Sequence, residues 1–394
     1  MKQVFGVNKN NKIIILLKYA FLLIIILQSG SNLFYGMNLG YIFPILLIPY
    51  YLFSQKIRVS VHSTIYFFFI FFLHCYYFYE FGSSLSWLTI NTFNFFSIYL
   101  LIFFLKEKNI IYFFNIIYFI SVMCLTIWIL IQFSSLVSEI LIEAGKINSN
   151  YLNHEAFFKT HNDEITSFNA VLYNINLVDN SRNNGIFFEP GRFAIFILFA
   201  LSINVFYFKK TFIEKKTIIL VVTLISTFST TGYICLLIIL FIKSLYIKTN
   251  ILSKCLFFLF LVIIAYYISN LDFMYDKILN EAKSEYESSR IFAAYYHFQF
   301  ILQRPLLGYC DFIPDLMLSP NGLTFYILKY GIVSFIIYLF LIYRGLKYIF
   351  NFRINDIKAI GIFIIFITLA FSQTITTEPF YIGISYLGLL SKDI

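Results

Sequence analysis

The chain has 394 residues, of which 60% are hydrophobic and only 12% are charged, and its formal net charge is +9. Soluble domains carry roughly 25% charged residues, so this composition excludes an ordinary water-soluble protein. Apolar runs of about twenty residues recur along the chain and predict helices that cross a bilayer. These runs do not alternate between apolar and polar residues, as the strands of a membrane barrel do. The five cysteines form no CxxC pair and no Cys/His cluster, so the sequence predicts neither a metal site nor a disulfide framework.

The apolar runs predict an all-α, polytopic integral membrane helix bundle of about twelve spans, some of them short, in a single transmembrane domain of residues 1–394. The predicted spans are 13–29, 33–53, 62–79, 85–105, 110–132, 187–208, 217–230, 232–247, 252–269, 321–343, 357–374 and 380–391. The seventh and eighth are divided at "STTG" because one helix there would be roughly 45 Å long, against a hydrocarbon core of about 30 Å. The last two are divided at "TTEP" by the same reasoning.

The charges indicate how the bundle is oriented. With the N-terminus in the cytoplasm, 19 of the 29 Lys and Arg residues fall in cytoplasmic segments, and 16 of the 20 Asp and Glu residues fall on the other side. This bias follows the positive-inside rule and predicts that both termini are cytoplasmic. The positive net charge therefore reflects topology, and a nucleic-acid partner is not expected.

Two connections are much longer than the others and both fall on the outer side of the membrane, at residues 133–186 and 270–320. Loops of this length are usually functional or disordered. The helical spacing of apolar residues, as in "SSLVSEILIEAGKI", predicts amphipathic helices that lie on or dip toward the membrane. We therefore expect the chemistry at the extracytoplasmic face.

The first long loop ends in "RNNGIFFEPGRFAIF", which places Arg182, Glu189 and Arg192 at the mouth of an apolar run. The planar guanidinium suits phosphate, so these arginines are candidates to hold a lipid-linked pyrophosphate. The alternative is that an arginine snorkels at the helix end with Glu189 as its salt-bridge partner. Pro190 fits the first turn of a helix, so Glu189 would lie near the positive end of the helix dipole and be ionised. Glu189 is thus the candidate base for a sugar hydroxyl, ahead of the histidines of this loop, His154 and His161.

The second long loop contains "SSRIFAAYYHFQFILQRPLLGY", in which Arg290 begins an amphipathic helix that ends at Arg304-Pro305. The aromatic stripe of this helix indicates packing more than sugar stacking, and His297 within it fits a structural role. Asn321 opens the next span and either bonds a sugar or caps the helix. Arg290 joins the catalytic candidates, and Arg304, His297 and Asn321 join Arg192 as substrate-binding candidates.

Four stretches occur in a fixed order along the chain. They are "RNNGIFFEPGRFAIFI", "STFSTTGYICLLIIL", "SSRIFAAYYHFQFILQRPLLGY" and "PNGLTFYILKYGIV". In this order, with one arginine in each large outer loop, they resemble the superfamily of O-antigen polymerases and O-antigen ligases, and the chain looks like a Wzy-type polymerase. The similarity covers roughly residues 180–345, whereas the earlier spans are similar in hydropathy alone.

The resemblance implies a metal-independent glycosyltransferase without a cofactor, in the bacterial inner membrane. It implies that units of undecaprenyl-pyrophosphate-linked oligosaccharide are polymerised into O-antigen or a related surface polysaccharide. Arg182 and Arg290 look like the loop arginines that engage the pyrophosphate, and Gly185, Pro190 and Gly308 look like turn residues. Membrane lipid and a chain-length regulator protein are further expected partners.

Two other functions are weighed against polymerisation. The ligase branch usually has a histidine immediately before the asparagine that is Asn321 here, and this chain has Pro320. A flippase for the same lipid-linked oligosaccharide would place its charges in the middle of the membrane. Only Lys18 and Lys329 lie well within predicted spans, while charged residues gather in the two long outer loops. A purely structural membrane protein is the remaining alternative.

Overall fold

The structure is a computed structural model, and it describes most of the apolar segments of the chain. The described residues are 9–31, 61–105, 109–152, 157–159, 165–169, 172–176, 181–246, 258–260, 262–263, 266–267, 270, 290–310, 312–313, 321–350 and 356–390. The predicted span 33–53 lies outside the described residues, as does most of the span 252–269.

The described residues form helices and one small sheet. In chain order these are α1 Lys9–Gln28, α2 Val61–Glu80, α3 Leu85–Leu105, α4 Asn109–Phe133, α5 Ser135–Leu152, β1 Phe157–Lys159, β2 Ile165–Asn169, β3 Asn174–Asn176, α6 Pro190–Ser202, α7 Lys215–Ser226, α8 Thr230–Leu245, α9 Arg290–Ile301, α10 Gly322–Phe350, α11 Ile357–Ser372 and α12 Pro379–Leu390. A short π-helical turn, Ile203–Tyr207, extends α6.

The helices coincide with ten of the predicted spans, and the chain is predominantly α-helical with the character of a membrane protein. Three stretches are long and apolar enough to cross a bilayer, namely Ile110–Phe133, Pro190–Tyr207 and Gly322–Phe350. Shorter apolar helices accompany them at Ile14–Gln28, Thr230–Leu245, Ile357–Ser372 and Pro379–Leu389.

The division of residues 217–247 into two helices is confirmed. The chain turns between α7 and α8 at 227–229, and Ser229 caps α8 by accepting a hydrogen bond from the Gly232 backbone N–H at 3.2 Å. Phe228 has φ +46°, an uncommon conformation for a residue other than glycine, which lets the chain reverse in three residues. The final division is also confirmed, because residues 373–378 separate α11 from α12.

The first long loop contains a sheet that the sequence analysis did not predict. The amphipathic helix expected at its start is α5, but three antiparallel strands follow in the order β1-β2-β3. Phe168 pairs with Ile175 across β2 and β3. The helix expected in this loop is therefore present, and the strands beside it were not predicted because three to five residues are too few to reveal an alternating pattern.

The core is centred on two helices, α6 and α12. Almost every residue of α6 is buried, and this helix contacts α4, α7 and α8. The other central helix, α12, packs on α10, α3 and α1. Phe380 links the two, because its ring centroid lies 5.2 Å from that of Phe196 and 5.5 Å from that of Phe199. The N-termini of α6 and α12 consequently lie side by side.

The long helix α10 is broken at Gly331, where φ is +76° and ψ is 169°. The chain that follows α9 docks on the break: the Tyr309 N–H donates to the Leu328 carbonyl at 2.9 Å, and the Ile332 N–H donates to the Pro305 carbonyl at 2.9 Å. A side chain at residue 331 would overlap the carbonyl of Leu306. Only glycine permits both this backbone conformation and this close approach.

Candidate active site

One end of the bundle holds the side chains of Arg182, Arg192 and Arg304, and we call it the arginine end. It comprises the C-terminus of α1, the N-termini of α6, α10 and α12, and the turns α2–α3, α7–α8 and α11–α12. Hydrogen bonds join these pieces: the Phe188 N–H donates to the Gly30 carbonyl at 3.0 Å, and the Asn183 N–H donates to the Ser226 carbonyl at 2.9 Å. The opposite end carries most of the described lysines: Lys209, Lys210, Lys215, Lys216, Lys243, Lys347 and Lys358.

Arg182 is half-buried and lies against the turn between α7 and α8. Its Nε–H donates to the Thr227 carbonyl at 3.4 Å, and Nη2 donates to the Phe228 carbonyl at 3.3 Å. The neighbouring Asn183 amide donates to the Ser226 hydroxyl at 2.9 Å, which fixes the segment to the same turn. Arg182 therefore carries a positive charge to the arginine end on a well-anchored backbone.

Glu189 is exposed at the N-cap position of α6, directly before Pro190. Its carbonyl accepts hydrogen bonds from the N–H groups of Arg192 and Phe193, but its side chain makes no capping bond. Within the described part of the chain, no hydrogen bond or ion pair engages its carboxylate. The predicted Pro190 start of the helix is confirmed, and the Glu189 side chain is exposed without capping the helix that it precedes.

Arg192 does not pair with Glu189, so the alternative of a local salt bridge was wrong. Arg192 is 6% exposed, and its Nη1 lies 3.0 Å from Oε1 of Glu378, which precedes α12. The same nitrogen donates to the Ser29 carbonyl at 3.2 Å, and the guanidinium lies over the Phe188 ring at 4.1 Å. Arg192 thus reaches across the helix packing to a partner 186 residues away along the sequence.

Glu378 lies in a partly buried, positively charged setting. Burial raises the pKa of its carboxyl above the ordinary value and outweighs the opposite effects of Arg192 and of Lys329, both of which favour the ionised form. Lys329 comes from the residues of α10 just before the break. Sequence reasoning missed Glu378 as a site residue; the repeated Glu-Pro pair, 189–190 and 378–379, is the signal that would have found it.

Arg304 forms a different ion pair at the same end. Its Nη2 lies 3.0 Å from Oε1 of Glu80 at the C-terminus of α2, and both side chains are about one-third exposed. The guanidinium also lies over the rings of Phe81 and Tyr309, at 4.9 and 5.5 Å from their centroids. Arg304 therefore ties the segment after α9 to α2, next to the docked break in α10.

His297 and Asn321 both serve the junction of α9 and α10. The Asn321 side-chain oxygen accepts hydrogen bonds from the N–H groups of Leu323 and Thr324, each at 3.2 Å, so Asn321 caps α10. His297 is buried, and its Nδ1 lies 2.8 Å from the Thr324 hydroxyl oxygen. These contacts support a structural role for each residue: Asn321 caps α10, and His297 connects α9 to the start of α10.

Arg290 is the first residue of α9, as the sequence predicted, and that helix ends at Ile301, three residues before Arg304. Gly308 has φ +72° and makes the turn predicted there, and Gly185 has φ +61° at the end of the first loop. Of the predicted site residues, Arg182, Glu189 and Arg192 lie at one end of the bundle.

The site is built from isolated charges and pairs. In the described ranges, no three His, Cys, Asp or Glu side chains lie close enough together to hold a metal ion. No disulfide joins the described cysteines at 75, 124, 235 and 310.

No family model matches the chain, and neither a curated protein nor a solved structure matches it significantly.

Proposed function

We propose that the protein is a membrane-embedded glycosyltransferase that polymerises lipid-linked oligosaccharide repeat units into a surface polysaccharide. The donor is the growing chain on undecaprenyl pyrophosphate, and the acceptor is a hydroxyl of the incoming lipid-linked unit. The observation that carries this proposal is the gathering of Arg182, Arg192 and the exposed carboxylate of Glu189 at one end of an apolar bundle.

The charge asymmetry of the bundle supports a location of the site outside the cytoplasm. Lysines dominate the end that carries the α6–α7 and α10–α11 connections, and positive residues favour the cytoplasmic side. The arginine end then faces the periplasm, in a bacterial inner membrane, with both termini in the cytoplasm. This is the side on which a lipid-linked unit is accessible after it has crossed the membrane.

The chemistry of glycosyl transfer needs two kinds of group, and the arginine end offers both. The acceptor oxygen attacks the anomeric carbon of the donor, the bond from that carbon to the phosphate oxygen breaks, and the pyrophosphate departs with the bonding electrons. Guanidinium groups stabilise the negative charge that develops on the leaving group. A carboxylate accepts the hydroxyl proton, and Glu189 is the candidate base.

Arg182 and Arg290 are the residues that we assign to the pyrophosphate. Arg182 is anchored at the α7–α8 turn, so its charge is held in place at low entropic cost. Arg290 opens α9 in the second outer loop. Two arginines from two different loops suit a diphosphate, which has oxygens on both phosphorus atoms to bind.

The test is a gel of the surface polysaccharide from a deletion strain. The strain is complemented with wild type, Arg182→Ala, Arg290→Ala, Glu189→Ala or the control Arg344→Ala. Arg344 is a half-buried arginine of the opposite end whose guanidinium lies over the Phe340 ring. Membrane levels of an epitope-tagged protein are measured in parallel.

If the protein is a polymerase, lipid A–core in the deletion strain carries a single repeat unit and shows no ladder. The ladder should also be lost in Arg182→Ala and Arg290→Ala, and it should be kept in the control Arg344→Ala. Long polymer on the lipid carrier together with bare core would identify a ligase instead. A full ladder in Arg182→Ala, Arg290→Ala and Glu189→Ala would reject the site and leave those charges as interface anchors.

A further inference from the structure

Three charged side chains from three separate parts of the fold interact at the arginine end. Arg192 comes from α6, Lys329 from α10, and Glu378 precedes α12. Arg192 and Glu378 are in contact at 3.0 Å, and Lys329 acts electrostatically on Glu378. Charges of this kind between apolar helices are costly, and they usually mark a functional site.

The two Glu-Pro pairs begin neighbouring helices with the same pattern of backbone hydrogen bonds. The Glu189 carbonyl accepts from the N–H groups of residues 192 and 193, and the Glu378 carbonyl accepts from those of residues 381 and 382. Their side chains lie in different surroundings: Glu189 is exposed, whereas the Glu378 side chain is 20% exposed and faces two cations. Two carboxyl groups whose environments differ in this way commonly divide the work of a reaction.

Lys329 stands where the α10 helix is interrupted. Its carbonyl accepts a hydrogen bond from the Cys310 N–H at 2.6 Å, and Gly331 follows two residues later with non-helical angles. Interrupted helices in membrane proteins are tolerated where the backbone is satisfied by other protein groups or lines a cavity, and they often form binding sites. Here the segment after α9 satisfies the backbone.

One buried donor of the cluster has no partner among the residues that the structure describes. Within these ranges the Arg192 Nε–H lacks a hydrogen-bond acceptor, although the residue is almost fully buried. An unsatisfied buried donor is costly, and a ligand oxygen would relieve that cost. The Arg192–Glu378 pair therefore leaves room for a further hydrogen-bond acceptor, as a bound ligand would provide.

We infer that Glu378 is the proton acceptor of the transfer reaction, and that Arg192 and Lys329 join Arg182 and Arg290 as the cations that receive the charge of the departing pyrophosphate. This assignment rests on the proposed function and moves the role of base from Glu189 to Glu378. Glu189 then binds the acceptor sugar through its exposed carboxylate.

The step balances within the cluster. The acceptor hydroxyl gives its proton to the Glu378 carboxylate as its oxygen bonds to the anomeric carbon. The bond from that carbon to the phosphate oxygen breaks, and the electron pair leaves with the pyrophosphate. As the leaving group gains negative charge, it replaces Glu378 as the counter-anion of Arg192 and Lys329, so Glu378 binds a proton more readily at the moment when one is transferred.

The pH dependence follows from the groups that face Glu378. Among the described residues these are Arg192 on α6 and Lys329 on α10, and burial outweighs both and raises the Glu378 pKa. A base must be ionised to act, so turnover is present above this pKa and is lost as the pH falls through it. The acid limb of the rate profile should therefore lie above the ordinary glutamate pKa of about 4.3.

The experiment measures chain extension by the purified full-length protein in proteoliposomes, with a lipid-linked repeat unit as substrate. Glu378→Gln keeps a hydrogen-bond acceptor for Arg192 but cannot take a proton, and we expect kcat to fall at least about 100-fold. Glu189→Gln should raise KM and leave most of kcat. Glu80→Gln is the matched control, because it neutralises another arginine-paired glutamate of the same end, and it should behave like the wild type.

The inference is overturned if Glu378→Gln retains more than about a third of wild-type kcat. If that variant does not fold, Glu378→Asp decides, because it keeps the charge and shortens the side chain by one methylene. A base at residue 378 predicts that this variant shifts the midpoint of the acid limb, and an unchanged midpoint overturns the inference. A wild-type protein that makes no polymer would instead reject the proposed function itself.

Discussion

The guanidinium of Arg192 and the carboxylate of Glu378 lie 3.0 Å apart although 186 residues separate them in the chain. The pair joins the first turns of α6 and α12, and the Ser29 carbonyl brings in the end of α1. The residues around it are tied to the same point, because the Phe380 N–H donates to the Ser29 hydroxyl oxygen at 2.9 Å. Three helices therefore meet at one ion pair.

This pair should be important for stability as well as for chemistry. Arg192→Ala would leave Glu378 partly buried without its main partner, and breaking a buried pair costs roughly 3–5 kcal/mol. We expect about 3 kcal/mol, measured by unfolding of the purified protein in detergent. In the double variant Arg192→Ala/Glu378→Ala the loss should be smaller than the sum of the two single losses. Additive losses would show that the two residues do not act as a unit.

The Arg304–Glu80 pair should behave differently, because both partners are about one-third exposed. Ion pairs open to solvent usually contribute between zero and about 1 kcal/mol. We therefore expect Glu80→Gln to change the unfolding free energy by less than about 1 kcal/mol, in the same unfolding measurement. A loss of unfolding free energy as large as that of Arg192→Ala would mean that the Arg304–Glu80 pair stabilises the arginine end as strongly as the Arg192–Glu378 pair does.

The break in α10 gives a prediction with a built-in control. Gly331→Ala must both adopt φ +76° and push a methyl group against the Leu306 carbonyl. We expect it to prevent docking of the segment after α9 and to lower the folded yield severely, as seen by size-exclusion profiles. Gly82→Ala has a similar φ of +58° but meets no atom within 4 Å, so it should cost only the backbone strain of about 1–2 kcal/mol. Equal behaviour of the two variants would contradict the docking contact.

Asn321 is expected to act as a helix cap. Asn321→Ala removes the acceptor for the N–H groups of Leu323 and Thr324 and should cost about 1 kcal/mol of stability. Asn321→Asp keeps an acceptor oxygen in the same place and should lose much less. If both variants are equally destabilised, the side-chain oxygen is not the stabilising group.

The helix α5 presents an apolar stripe that fits the surface of the membrane. Leu136, Ile140 and Ile147 are 61%, 59% and 56% exposed, and they share one side of the helix by their spacing. A helix with such a stripe beside charged residues lies in the membrane interface. The tryptophan of Ile140→Trp should therefore be quenched by brominated lipids in nanodiscs.

Lys146→Trp is the control for this measurement, because Lys146 is exposed, pairs with Glu143 at 2.7 Å, and lies one residue from Ile147, roughly 100° around the helix from the apolar stripe. Its tryptophan should be quenched much less. Equal quenching of the two would show that α5 does not lie with its apolar stripe in the lipid.

Local features of the chain were predictable because they depend on neighbours in sequence. Apolar length fixed the helices, Pro190 fixed where α6 begins, and the turn between α7 and α8 followed from a run too long for one helix. The amphipathic pattern predicted α5 and α9, including Arg290 as the first residue of α9. The short strands escaped because three to five residues carry too little periodic signal.

The sequence by itself determined that this is a predominantly helical protein of membrane character, which residues bound its helices, and that most described lysines lie at the end opposite the arginines. Hydropathy and chain length set these, because each apolar segment must bury its backbone hydrogen bonds within a helix. Tertiary structure alone decided that Arg192 pairs with Glu378 rather than with the nearby Glu189, and that the segment after α9 fills the break in α10. Those contacts join residues far apart in the chain, and they form only when packing brings the ends of separate helices to the same place.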